Sequence, residues 1–291
     1  MSDSDKLHRF IFDHCDIRGE ITTLEHSYQQ VLQTANYPEP VQQLLGQFLA
    51  AVSLLSATLK FDGVITLQAR GDGPLSLIVA DCTRHHNLRA LAEFDPEFSF
   101  SSGQALSELI GNGQLAITID PSKGERYQGI VPLEQPYLAS CLEDYFKQSE
   151  QLPTRIWLSA DKQRSGGLFL QALPQQNASE EHNTEQWQHL TQLAETITTD
   201  EQLHLDHQQQ LFRLFHQDNV RLLDSSDLQF ACSCSEQRTL NMLVNLEKAE
   251  LLSILEEQGR IEVNCHFCNQ LYRFGAADID HLLSGESPTL H

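Results

Sequence analysis

Four of the seven cysteines fall within the last sixty residues, in two tight pairs. Cys232 and Cys234 flank a serine in FACSCSEQ (230–237). Thirty residues further on, Cys265 and Cys268 flank two residues in NCHFCN (264–269). Two close thiol pairs at this separation suit a four-thiolate zinc site, with one ion per chain. A soft anionic sulfur matches a borderline-soft cation that favours tetrahedral coordination. C-x-C is less usual than C-x-x-C, because its loop is shorter and its backbone more extended. It can still present both sulfurs on one side, since i and i+2 share a face of an extended strand. His266 could substitute as a ligand, although four thiols already complete the shell.

Such a site permits two kinds of behaviour. It can simply staple a small domain, with apparent binding energies of about 10–16 kcal/mol in peptide systems. Zinc also keeps its sulfurs deprotonated and so open to oxidants such as peroxide or hypochlorous acid. Each close pair can then form a disulfide within itself. Two such disulfides leave no thiolate for the metal, and loss of the metal removes the staple. The spacing supports both behaviours. Two further readings compete: a zinc-ribbon-like adaptor with permanently structural zinc, and a thiol–disulfide oxidoreductase using CHFC. The second is disfavoured because such enzymes set C-x-x-C at a helix start within a βαβ unit, whereas this motif falls between two strand-like runs.

Other chemistry is sparse. Cys15, Cys82 and Cys141 lie in candidate core elements and read as buried, inert thiols. RGD at 70–72 falls in a hairpin turn and is best taken as chance. The histidines between 175 and 217 are scattered among glutamines and read as solvated. There is no P-loop and no nucleophile–base spacing to argue from, so no enzymatic activity is expected.

The elements that must position the thiols follow from patterning. PVQQLLGQFLAAVSLLSATL (40–59) has helical apolar spacing. GVITLQARGDGPLSLIVADC (63–82) reads as a hairpin around GDGP, QLAITID with YQGIVPL (114–133) as a strand pair, 136–151 as a helix, and 154–174 as another hairpin. Repeated hairpins with interspersed helices argue for an α+β fold with antiparallel sheet. Residues 1–175 are taken as a mixed core domain. Residues 175–217 hold ten glutamines and five histidines, and their helix-like runs at 183–197 and 201–215 have thin apolar stripes. Residues 176–231 therefore read as a weakly held helical linker. Residues 232–291 read as a small zinc-binding domain: two short helices over 240–259, strands at 260–265 and 271–274 flanking the second pair, and a helix at 276–283. A piece this small needs a staple.

The net charge is −21, and no segment is basic: −8 for 1–175, −8 for 176–231 and −5 for 232–291. Duplex nucleic acid and anionic bilayers would be repelled. The start, MSDSDKLHRFIF, has no apolar h-region, and no apolar stretch is long enough to span a bilayer. A reducing, cytoplasmic setting is expected, where paired cysteines more often bind metal or do redox work than form permanent bridges.

The combination of C-x-C, a spacer near thirty residues and C-x-x-C resembles the 33-kDa heat shock protein family, redox-regulated holdase chaperones of the bacterial cytoplasm. LLSATLKFDGVITLQARGDGPLSLIVAD (54–81) and YQGIVPL (127–133) look like the same family, and the likeness covers essentially the whole chain. The resemblance implies Cys232, Cys234, Cys265 and Cys268 as zinc ligands in an inactive reduced state. It implies that Cys265–Cys268 forms first under oxidation and mild unfolding stress, then Cys232–Cys234, with zinc released. The switch domain and linker then lose structure, and homodimers capture unfolding clients without ATP. After re-reduction, clients pass to ATP-dependent foldases.

Overall fold

The structure, a computed structural model, describes residues 3–57, 62–176 and 178–284. The chain divides into two compact units, Met1–Ala231 and Cys232–His291.

The first unit runs β1 (Lys6–Phe12), β2 (Ile17–Leu24), α1 (His26–Leu32), α2 (Glu39–Ser56), β3 (Gly63–Arg70), β4 (Leu75–Thr83), β5 (Asn87–Phe94) and α3 (Leu106–Ile110). It continues with β6 (Gln114–Pro121), β7 (Tyr127–Pro132), α4 (Leu138–Tyr145), a π-turn (Phe146–Glu150), β8 (Thr154–Ala160) and β9 (Ser165–Ala172). Then come α5 (Glu180–Ala194), α6 (Thr199–His204), α7 (His207–Phe215), β10 (Val220–Asp227) and β11 (Gln229–Phe230). Two sheets result: β10-β1-β2-β9-β8, antiparallel throughout, and β11-β5-β4-β3-β6-β7, antiparallel except for the short β11–β5 pair. This is the mixed antiparallel α+β architecture that the hairpin spacing predicts.

Helix α2 explains why one core serves both sheets. Val41, Leu45, Phe48, Leu49, Val52 and Leu54 are all buried, so apolar residues surround the helix on most sides. It packs on strands of both sheets, and its side chains join one cluster with Leu67, Ile78, Ile117 and Phe169. The expected helix over 40–59 ends among the described residues at Ser56; residues 58 and 59 lie outside them.

Residues 176–231 differ from a bare helical linker. They contribute β10, which pairs with β1 about two hundred residues upstream, and β11 beside β5. The single helix expected at 201–215 is two: α6 ends at His204, and Asp206 caps α7 by accepting the Gln209 N–H at 2.7 Å. The thin apolar stripes are used, although Phe212 on α7 stays exposed. Leu190, Ala194, Leu211, Leu214 and Phe215 cover the outer face of the five-stranded sheet, against Phe10, Ile17, Ile21, Leu168 and Leu170. Gly166 lets α6 come close, since a Cβ there would stand 2.9 Å from the Gln202 carbonyl oxygen.

The second unit holds α8 (Glu236–Met242), a 3-10 turn (Leu243–Asn245), α9 (Lys248–Gln258), β12 (Ile261–Asn264), β13 (Leu271–Phe274) and α10 (Ala276–Ser284). Helix α8 starts four residues before the expected 240, because the Ser235 hydroxyl caps it by accepting the Arg238 N–H at 3.2 Å. Gly259, at φ 74°, ends α9 in the left-handed conformation that glycine adopts without strain. Among the described residues its apolar core comprises five buried side chains: Leu243, Leu251, Ile261, Phe274 and Ile279. That core is too small to order sixty residues comfortably without a further tie.

Candidate metal centre

The strand pair β12–β13 builds half of the site. Its register sets Asn264 opposite Leu271, so residues 265–270 form a tight connection carrying Cys265 and Cys268. Within it the Cys265 N–H donates to the Gln270 carbonyl at 2.9 Å, and the Asn269 N–H donates to the Cys265 carbonyl at 2.7 Å. Asn269 turns the chain in the left-handed region at φ 61°, a conformation asparagine tolerates better than most residues. The other half is the extended stretch before α8. Ser235 caps that helix, and Arg238 reaches back to donate from Nη1 to the Ser233 carbonyl at 2.8 Å. Both contacts fix the backbone on which Cys232 and Cys234 sit.

All four sulfurs lie within 4.8 Å of one another. Cys232 Sγ is 3.6 Å from Cys265 Sγ, and Cys234 Sγ is 3.4 Å from Cys268 Sγ. A tetrahedral ion with metal–sulfur bonds of about 2.3 Å, the zinc value, needs sulfurs about 3.8 Å apart. The donor set fits such an ion in number, type and size. His266 does not join the cluster of ligand atoms. Cys15, Cys82 and Cys141 are buried elsewhere, and burial pushes the Cys15 thiol up to about 11 and Cys82 up to about 12. Buried and raised, these thiols carry little thiolate at neutral pH.

The electrostatics shows why four such sulfurs need a cation. Burial and the neighbouring thiols raise Cys232 and Cys268 above the ordinary thiol value. At Cys234 burial acts upward too, but the Tyr272 hydroxyl and the adjacent thiols hold it below that value. Tyr272 Oη donates to Cys234 Sγ at 3.1 Å, and that bond pushes the phenol up to about 12. One thiolate is therefore supported by the protein itself, whereas four adjacent thiolates repel. A divalent ion removes the repulsion and holds its thiols deprotonated. Tyr272 is the site residue that sequence patterning misses: its contact depends on the β12–β13 register, which pairs it with Val263.

Among the described residues no helix is long and apolar enough to cross a membrane.

A family model described as Hsp33 protein matches residues 5–275. A 33 kDa chaperonin of Ectopseudomonas mendocina is 50% identical over 284 residues, covering 97% of this chain and 96% of its own. That of Shewanella sediminis is 45% identical over 280 residues, covering 96% of each. The crystal structure of the 33 kDa chaperonin from Thermotoga maritima superposes with a TM-score of 0.82 at 22% identity, over 96% of this chain and 98% of that one. At that identity the likeness speaks for the fold.

Proposed function

This chain belongs to the Hsp33 family of chaperones, and from that premise we propose that it is a redox-regulated, ATP-independent holdase. The observation that carries the proposal is the convergence of Cys232, Cys234, Cys265 and Cys268 in a unit whose described residues bury five apolar side chains in their core. In the reduced state the four thiolates would hold one zinc ion. Bound there, zinc supplies charge compensation and a cross-link between the stretch before α8 and the β12–β13 connection.

Oxidation acts on the residues themselves. In each pair two thiolates lose two electrons as one S–S bond forms, and one hydrogen peroxide takes those electrons and two protons from solvent to give two waters. Two peroxide equivalents convert Cys265–Cys268 and Cys232–Cys234. Disulfides are poor metal ligands, so the cross-link is lost and the small core no longer suffices. On this proposal residues 176–231 form a segment that detaches from the core domain of residues 1–175 once the module at 232–291 has unfolded. Detachment would uncover the apolar face formed by Phe10, Ile17 and Leu168, now covered by α5 and α7. Homodimers of this chain would capture unfolding clients on such surface in the cytoplasm, and the clients would pass later to ATP-dependent foldases.

The test compares reduced protein with protein treated with peroxide at mild heat, each mixed with a thermally unfolding client and followed by light scattering. Suppression by the oxidised form alone is expected. Equal suppression by both, or by neither, would reject the switch. A thiol–disulfide oxidoreductase would instead turn over in an insulin-reduction assay, and no turnover is expected. A permanently structural zinc adaptor would gain no activity on oxidation.

A further inference from the structure

A second convergence of metal-ligating groups lies in the first unit. Asp3 precedes β1, His8 lies on β1, and His207 is the first residue of α7; their ligand atoms all lie within 4.8 Å of one another. The two imidazoles meet nitrogen to nitrogen, with His8 Nδ1 2.8 Å from His207 Nδ1. Their ring planes cross at 85° with centroids 5.0 Å apart, an edge-on rather than a stacked arrangement. Asp3 is drawn in through Oδ2, which accepts the His207 main-chain N–H at 2.8 Å. We infer that Asp3, His8 and His207 form a binding site for a borderline divalent transition ion of the zinc type, distinct from the four-thiolate centre.

The surroundings prepare these ligands. His207 is fully buried, and its Nε2 stands 3.1 Å from Thr23 Oγ1. When Nε2–H donates to that hydroxyl, the Nδ1 lone pair faces His8. A ligating histidine is commonly held by a partner on its other ring nitrogen in just this way. Burial keeps both rings neutral: His207 is pushed down to about 3, and His8 is lowered too, despite Asp3, with Lys6 adding to the effect in both. With His207 in the Nε2–H form, the proton between the two Nδ1 atoms belongs to His8, and binding requires it to move to His8 Nε2 with no net release.

The distances fit with little movement. Two metal–nitrogen bonds of about 2.0–2.1 Å place the nitrogens about 2.9 Å apart at a right angle and about 3.4 Å apart at the tetrahedral angle. The observed 2.8 Å needs an opening of a few tenths of an ångström at most of the intermediate angles. Two imidazoles and a carboxylate suit zinc, cobalt or nickel better than calcium or magnesium. A cavity of about 310 Å³ reaches the Asp3 side of the cluster, lined in part by Asp3, Thr23 and Glu25 and by neither histidine. A bound ion would tie the segment before β1 and strand β1 to the start of α7.

The test uses the untagged, reduced, full-length chain already loaded with one zinc at its thiols. Equilibrium dialysis against zinc should show a second equivalent. Cobalt should fill this second site with a spectrum lacking thiolate charge-transfer bands. His8→Gln and Asp3→Asn should weaken the second equivalent and spare the first. Thr23→Val, which keeps the shape and removes the hydroxyl, should weaken it by about 10–100-fold. Amide exchange should slow across 199–215 with the second ion in the parent and not in His8→Gln, whose folding is checked by circular dichroism. Saturation of the parent at one equivalent, or a second equivalent that survives His8→Gln unchanged, would overturn the inference.

Discussion

Which sulfurs pair on oxidation decides whether oxidation releases or locks the second unit. Sulfurs of different pairs approach closely, Cys232 to Cys265 at 3.6 Å and Cys234 to Cys268 at 3.4 Å, and all four lie within 4.8 Å. Geometry alone therefore does not select disulfides within each pair. The energetic consequences differ sharply. A Cys232–Cys265 or Cys234–Cys268 bond closes a loop spanning 33 or 34 residues. On the chain-entropy estimate each would stabilise the folded unit by about 4 kcal/mol, replacing the lost metal with a covalent staple. Bonds within C-x-C and C-x-x-C span two and three residues and constrain the unfolded chain far less. The switch requires the short loops. The perturbation is oxidation with two equivalents of peroxide at mild heat. The assay is mass mapping of non-reduced peptides after cleavage between residues 238 and 260, with exchange of the second unit's amides measured on the same sample. Cys232–Cys234 and Cys265–Cys268 peptides with loss of protection over 236–284 are expected. Cross-pair peptides in a unit that stays protected would refute the reasoning.

Loosening residues 176–231 should mimic oxidation. Phe215 is buried against Phe12 at 5.3 Å and Phe10 at 6.3 Å between ring centroids, so Phe215→Ala should destabilise its docking by about 3–5 kcal/mol; client light scattering should show suppression by the reduced, zinc-loaded variant, and an opened segment without suppression would count against client capture there. Tyr272→Phe removes the O–H donor to Cys234, and chelator competition should show zinc held about 10–100-fold more weakly. Glu20 is buried beside Arg18, with Oε2 unpartnered, and burial raises its carboxyl from 4.5 to about 7. Its native form thus holds a proton that the unfolded chain has released between those two values, so stability present below 4.5 is lost as pH rises to about 7. Glu20→Gln should therefore melt higher than the parent at pH 8 by a margin on the order of 3 kcal/mol that shrinks toward pH 5.

The thiol cluster and the hairpins were legible because each is written locally. C-x-C and C-x-x-C declare their chemistry by spacing, and GVITLQAR and LSLIVADC alternate around a turn that names itself. The sequence was less informative where partners are distant. Strand β10, VRLLDSSD, is polar and half exposed, and pairing with β1 two hundred residues away makes it a strand. The break between α6 and α7 was signalled by Asp206, a capping residue inside an otherwise continuous helical run. The stripes of α5 and α7 were visible, but not the sheet face that they cover, so a segment that looked poor in core residues turned out to supply half of a second core. Tyr272 illustrates the same limit at the site: a hydroxyl's reach across a hairpin depends on register, which the pattern LYRF does not state.

The most direct test follows one oxidising sample by three signals at once: zinc released to a chromogenic chelator, far-UV circular dichroism, and suppression of client aggregation in withdrawn aliquots. If the four thiolates both hold zinc and gate the chaperone, one zinc leaves per chain, helical signal falls, and suppression rises together with both. Full zinc release with unchanged circular dichroism and no gain in suppression would contradict the coupling.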